Sequence, residues 1–167
     1  MVGMEGPTFD VLGFLTEPRH PASVATVSGR GRPALAMMWF LLEDDRIWFH
    51  TAEPPGLPAP FLRAARERAE VAVMVATFNP PTDVRQVRTT GPARLEERDD
   101  TRVRRLYLRY VDAWTPKWER QATAASYRLW SMSPERGMAV TYPGLEDGPT
   151  FRWSEPAGLF RLGRLTS

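Results

Sequence analysis

The chain has 167 residues, no cysteine, two histidines and one quarter charged residues, with 22 basic against 20 acidic side chains for a formal net charge of +2. That length suits one domain with a substantial core, and the composition is that of a globular chain, not a disordered one. So small a charge argues against nucleic acid as a partner, and the missing cysteines exclude disulfides, thiolate metal sites and a cysteine nucleophile. The longest apolar run, residues 34–42, falls far short of the ~20 residues that span a membrane. Glu5 and Asp10 stand where a signal peptide would be basic, so a cytoplasmic protein without membrane contact is expected.

Phe9, Leu12, Phe14 and Leu15 crowd a segment ending near Pro18, one or two turns of helix at an edge. Residues 23–28 alternate with period 2 and predict a strand, and residues 29–33 a turn. A mostly apolar strand over 35–42 follows. The acidic turn Glu43-Asp44-Asp45 then makes a hairpin with a third strand over 46–51. Pro54, Pro55, Pro58 and Pro60 interrupt regular structure, and good helix formers follow over 61–68. A buried strand is expected over 71–76, and a long one over 83–96 with a Gly91-Pro92 kink inside it, the mark of a bulge or barrel corner. Asp99 and Asp100 cap the clearest helix. Its apolar face is Val103, Leu106, Tyr107, Tyr110, Val111 and Trp114, with Arg102, Arg104 and Arg105 mainly opposite. Alternation returns over 126–132 and 138–141, and Phe151, Trp153 and Phe160 are expected to hold a turn-rich tail (143–167) to a core of about 20–142. Short hairpin links and three helices disfavour a doubly wound sheet and favour a mainly β, split antiparallel barrel with flanking helices, in one domain over 1–167.

Three candidate sites fail on context. Gly29-Arg30-Gly31-Arg32-Pro33-Ala34 fits the dinucleotide pattern and follows a strand, but a second strand comes next where a helix is needed, so it reads as a hairpin turn. His20 and His50 have no carboxylate partner nearby in sequence and do not make a zinc site. His20 is expected at the surface, and His50, on a strand, faces either core or pocket. Ser28, Ser126 and Ser131 lack the strand-turn-helix setting of a nucleophile elbow.

The strand Arg85-Gln86-Val87-Arg88-Thr89-Thr90 carries more. Alternation puts Arg85, Val87 and Thr89 on one face and Gln86, Arg88 and Thr90 on the other. Gln86 offers both a donor and an acceptor, which suits the edge of a flavin ring, and Arg88 offers charge for a reduced ring or a phosphate. On spacing alone the same residues also describe a solvated strand face.

This strand, with its glutamine between two arginines, resembles the central strand of the pyridoxamine 5′-phosphate oxidase-like proteins, which bind flavin or deazaflavin cofactors. Ile47-Trp48-Phe49-His50-Thr51 resembles the family strand whose last threonine approaches the cofactor phosphate or ribityl chain. Gly31-Arg32-Pro33 with Met37-Met38-Trp39-Phe40 is similar to the first hairpin of the actinobacterial FMN- or F420-binding branch. The resemblance spans roughly half the chain.

It implies a split barrel and a homodimer with FMN or F420 in the groove between subunits. It also implies an oxidoreductase that moves a hydride to or from a small organic substrate. Gln86 would meet the ring edge, Thr51 and Arg63 the phosphate, Arg88 would supply charge and Trp39 a flat apolar wall. Met37, Trp39 and Trp48 are candidates for the interface, the pocket or the core. No acid–base residue is marked.

The chain departs from the family pattern at two places. The usual phosphate lysine falls on Phe61 when counted back from Val71, which leaves Arg63, backed by Arg66, as the local cation. The second strand has Leu35 and Phe40 where true pyridoxamine-phosphate oxidases are basic, which argues against that substrate. The competing expectations are a dimer that binds or carries a flavin-like ligand without catalysis and, with only two histidines to ligate iron, a haem-binding relative.

Overall fold

A computed structural model describes residues 10–141 and 151–161. Phe9 and most of the expected tail lie outside the described residues. The order is α1 (Val11–Thr16), β1 (Ala22–Val27), β2 (Pro33–Met38), β3 (Leu41–Glu43), β4 (Arg46–Ala52), α2 (Pro60–Glu67), β5 (Glu70–Asn79), β6 (Asp83–Leu95), α3 (Asp100–Leu108), α4 (Pro116–Thr123), β7 (Tyr127–Met132), β8 (Arg136–Thr141), β9 (Phe151–Trp153) and α5 (Pro156–Phe160).

All strand pairs are antiparallel, and the hydrogen-bonded path runs β2-β1-β5-β6-β7-β4-β3, with β8 on β6 and β9 on β8. Mainly antiparallel β structure with flanking helices is the expected class. Alternation decides the inner face: Val24 of β1, Val71, Val73 and Val75 of β5, and Val87 and Thr89 of β6 are all buried. The core they form also takes in Phe49, Trp130, Leu62 of α2 and Phe14 of α1.

β6 belongs to both halves. Its residues 85–90 lie between β5 and β8, and residues 93–95 pair with β7. The change of partner falls at Gly91-Pro92, as the sequence suggested. A Cβ on Gly91 would stand 1.7 Å from the backbone oxygen of Ser133, so only a residue without a side chain admits that approach.

The expected single strand over 35–42 is broken. Residues 33–38 pair with β1 and residues 41–43 with β4, so the chain changes partner at Trp39-Phe40. There the Phe40 N–H donates to the Tyr110 hydroxyl at 3.0 Å, and the Phe40 carbonyl accepts from Arg109. Side chains from beyond α3 thus satisfy the backbone groups that no neighbouring strand reaches. The hairpin after it is as expected. Asp44 and Asp45 both take positive φ (50° and 56°), the twist a two-residue connection requires.

The helix capped by Asp99 ends at Leu108, earlier than its spacing suggested. Tyr110 and Trp114 keep the apolar spacing because they join the aromatic cluster beneath α3, but they do so from a loop. α4, with Pro116 in its first turn, carries Trp118 into that cluster and was not evident from its short, polar sequence. β9 and α5, in the tail, were likewise not anticipated as elements. Phe151 and Trp153 of β9 stack at 5.8 Å, and Phe151, Trp153 and Phe160 all pack on the core, as expected of them.

Replacing Gly91 by alanine forces the Ser133 backbone away from β6 and should cost about 2–4 kcal/mol. Urea unfolding would show this as a lower midpoint with little change in slope, and an unchanged midpoint would mean that the crossing is not tight.

Candidate functional site

Directly opposed residues of antiparallel strands share a face. One row across six strands is therefore Met37, Ser23, Met74, Arg88, Met138 and Arg152. The next row is Leu35, Ala25, Ala72, Thr90 and Arg136. This is the outer face, opposite the core valines. Leu35 and Met37 are 76% and 72% exposed, and further along β5 Phe78 is 83% exposed. A broad, shallow cavity of about 740 Å³ lies on this face, with Leu35, Ala72, Met74 and Met138 in its floor and Arg88, Arg136 and Arg152 around it.

The three arginines differ in their partners. Arg136 is paired with Glu70. Among the described residues Arg88 meets only the Met138 sulfur, its Nη2 donating at 2.7 Å. Arg152 has no ion pair or hydrogen bond among the described residues. Two guanidinium groups without carboxylates thus flank one methionine on an apolar floor, an arrangement suited to the anionic group of a largely apolar ligand.

Arg85, also on β6, has a different task. Arg85 Nη1 and Nη2 donate to Glu17 at 2.8 and 3.3 Å, its Nε donates to Asp83 at 2.8 Å, and the group lies 4.6 Å from the Phe14 ring centre. It ties the end of α1 to β6. The hydrogen bond from Arg85, followed by that from His20, holds the Glu17 carboxyl below the usual range.

The five residues singled out from the sequence do not all come together. Arg88 lines the cavity. Gln86 is two residues before it on β6, opposite Ala76 and Val140 and beyond the cavity's lining. Thr51, at the end of β4, accepts a hydrogen bond from Trp130 Nε1 at 2.8 Å. Arg63, on α2, donates to Glu67 at 2.8 Å and lies against Gly29 of the first hairpin turn. Trp39 is stacked on Tyr110 at 4.9 Å and packed edge-on to Tyr107, within the cluster under α3 and α4 and off this cavity. The interface candidates also separate: Met37 is on the open face, and Trp48 is buried in the helix-covered cluster. Arg136, Arg152, Met74 and Met138 were missed, although alternation in β5 and β8 marks Met74 and Met138 as outward.

An antiparallel sheet that divides at one long strand, with its second half capped by two short helices, defines a split barrel. The chain belongs to the pyridoxamine 5′-phosphate oxidase family, whose pattern it matches over residues 12–141. No curated protein matches it. Among solved structures it is similar to HutZ, the haem storage protein of Vibrio cholerae, at 17% identity, TM-score 0.59, covering 78% of this chain and 90% of that one. It is also similar to general stress protein 26 of Bacillus anthracis, at 17% identity, TM-score 0.58, covering 85% and 95%. A third is a conserved hypothetical protein of Mycobacterium tuberculosis, at 16% identity, TM-score 0.59, covering 96% and 91%. At these identities the likeness is one of fold. No helix among the described residues is long and apolar enough to cross a membrane.

Neither histidine lines the open cavity. His20 contacts Glu17 at 2.6 Å, so against expectation it does have a carboxylate partner three residues away in sequence. His50 lies on the other half of the barrel, its Nδ1 2.9 Å from the Tyr107 hydroxyl and its ring 5.0 Å from that of Tyr127. Burial pushes the His50 imidazole down to about 4 and the Tyr107 phenol up to about 12.

A histidine whose folded pKa lies below its unfolded value of about 6.5 binds its proton more tightly in the unfolded chain. Stability should therefore fall as the pH drops from about 6.5 towards about 4, by on the order of 2–3 kcal/mol at the low end. Urea titrations across that window should show this slope in the wild type and a flatter line in His50→Phe. Equal slopes in both would assign the loss to other groups.

Proposed function

We propose that this chain is a homodimeric oxidoreductase of the cytoplasm that uses FMN or the deazaflavin F420 with a small organic substrate. The observation that carries this reading is the open apolar face on which, among the described residues, Arg88 and Arg152 stand without carboxylate partners. Contiguous exposed apolar surface of this kind marks an interaction site. A second copy of the same chain is the simplest occupant, because a two-fold axis through such a face makes it self-complementary.

Joining two copies there would bring four unpaired guanidinium groups into one partly dehydrated space, which is costly unless an anion lies among them. A ligand with a broad flat body and a phosphate meets both demands. Arg88 and Arg152 would hold its anionic part and the methionine-lined floor its body, and Gln86 would present a donor and an acceptor at the rim. Thr51 and Arg63, off the cavity of their own chain, enter this reading only across the interface. When bound, such a cofactor supplies the hydride chemistry, while the chain orients it and excludes water. The hairpin over 31–40 supports the FMN- or F420-binding branch, and Leu35 on the floor argues against pyridoxamine phosphate as substrate. With no histidine on this cavity, a haem at the same face would find no imidazole ligand among the described residues.

Fluorescence titrations of the dialysed protein with FMN and with F420 test the cofactor. Saturable binding of one, weakened about tenfold or more by Arg88→Ala, is expected. No binding of either at tens of micromolar would overturn the oxidoreductase reading. Binding without turnover of the reduced cofactor by any electron acceptor would leave a carrier. Sedimentation should give a dimer that Met37→Glu converts to monomer, and a wild-type monomer would overturn the shared groove.

A further inference from the structure

The His50 side of the barrel holds a second cavity that shares no lining residue with the open face. It is narrower and deeper, about 300 Å³, and it lies between β4, β7 and the facing ends of α3 and α4. Val103, Ala122 and Leu129 form its apolar wall, and His50 and Tyr127 stand side by side along it.

The hydrogen bonds around Tyr107 favour one tautomer of His50. Gln121 Nε2 donates to the Tyr107 hydroxyl at 3.3 Å, and His50 Nδ1 lies 2.9 Å from the same hydroxyl, whose proton completes the chain when it is donated to Nδ1. Nδ1 is then an acceptor, and in the neutral ring the proton sits on Nε2. No partner for Nε2 exists among the described residues, yet no buried side-chain nitrogen or oxygen there lacks one. Nε2–H therefore reaches free space, and His50 lines this cavity.

The charged groups around the cavity are already engaged with one another. Arg98 pairs with Asp100 at 2.7 Å, and Arg128 with Glu53 at 3.2 Å. Glu96 pairs with Arg94 at 2.7 Å, and Asp99 caps α3 by accepting from the Arg102 N–H at 2.9 Å. An anionic guest would have to compete with the carboxylates that hold Arg98 and Arg128, and a cationic guest with the arginines that hold Asp100 and Glu96. A neutral guest with a hydrogen-bond acceptor loses nothing.

We infer that this cavity is a binding site for a small uncharged aromatic carbonyl compound, of the amide or cyclic imide class, whose oxygen accepts from His50 Nε2–H while its ring lies against Tyr127 and Leu129. The site stands apart from the flavin reading and does not depend on it. Its volume is at the low end for small-molecule pockets, which limits the guest to one ring or two. Tyr107 and Gln121 are positioning residues that hold the imidazole in the donor tautomer towards the cavity.

The test uses the full-length protein carrying His20→Gln, so that His50 gives the only imidazole signals in two-bond 1H–15N spectra. Near pH 7 the ring should be the neutral Nε2–H tautomer. Benzamide should shift its resonances saturably, and at least about tenfold more tightly than benzoate or benzylamine. By ligand-observed saturation transfer, His50→Phe, which keeps a ring and removes the donor, should weaken benzamide about fivefold or more. The Nδ1–H tautomer, benzoate or benzylamine binding as tightly as benzamide, or no shift at 20 mM benzamide (~ the weakest useful affinity) would each overturn the assignment. Should His50→Phe fail to fold, the comparison of the three probes on the histidine-bearing protein decides alone.

Discussion

The structure depends on one close approach. β6 can serve two halves of a sheet only if it passes under the 133–135 segment at Gly91, where the Ser133 oxygen occupies the space of a side chain. Before that point β6 lies between β5 and β8, and after it β6 pairs with β7, which in turn pairs with β4. Every other placement follows from this crossing. It sets which strands carry the open face, which strands α3 and α4 cover, and how Trp130 comes to rest on Phe49 at 4.5 Å in the core between them.

The two halves treat their outer surfaces differently. Over β4 and β7, α3 and α4 bury Trp48, Tyr107 and Leu129, and a belt of arginines closes the rim. Arg102 there bonds Glu43 at 2.7 Å and lies 3.8 Å from the Trp48 ring centre, while Arg105 meets the same Glu43. Those hydrogen bonds, from Arg105 first, hold the Glu43 carboxyl below its ordinary range. Over β1, β2, β5 and β6 no such finish exists among the described residues. Leucine and methionine face outward, and Arg88 and Arg152 stand among them with no carboxylate partner among the described residues. One half is covered by its own helices, and the other keeps an open apolar face among the described residues.

Much of this was legible in the sequence. Period-2 alternation located β1, β5 and the long β6. The Gly-Pro pair marked the crossing, and the paired aspartates marked the tight hairpin. What period alone could not give was the partner. Residues 35–42 are apolar enough to read as one strand, and only the Tyr110 and Arg109 side chains, seventy positions on, reveal the break at Phe40. The site divides in the same way. Arg88 was found because a strand face was being read, and its companion Arg152 was not, because it arrives from the tail through the β8–β9 pairing. Trp39 was expected at a cofactor, as a flat apolar wall, from the likeness of residues 37–40 to the family's first hairpin. The structure instead stacks it on a tyrosine that follows α3.

The long separation in sequence between paired strands has a kinetic meaning. β1, β2 and β5 can assemble from the first half of the chain, and β4 can form its hairpin with β3, but the other edge of β4 must wait for β7. Thr51 and Trp130, joined by a hydrogen bond across that pair, are 79 residues apart. Closing so large a loop is entropically expensive before its contacts repay it, and chains dominated by such pairings fold slowly. During that interval the leucines and methionines of the early sheet are already displayed. For the proposed dimer this order has a consequence: the shared face is on display before either chain has closed its own barrel, so synthesis itself favours the pairing.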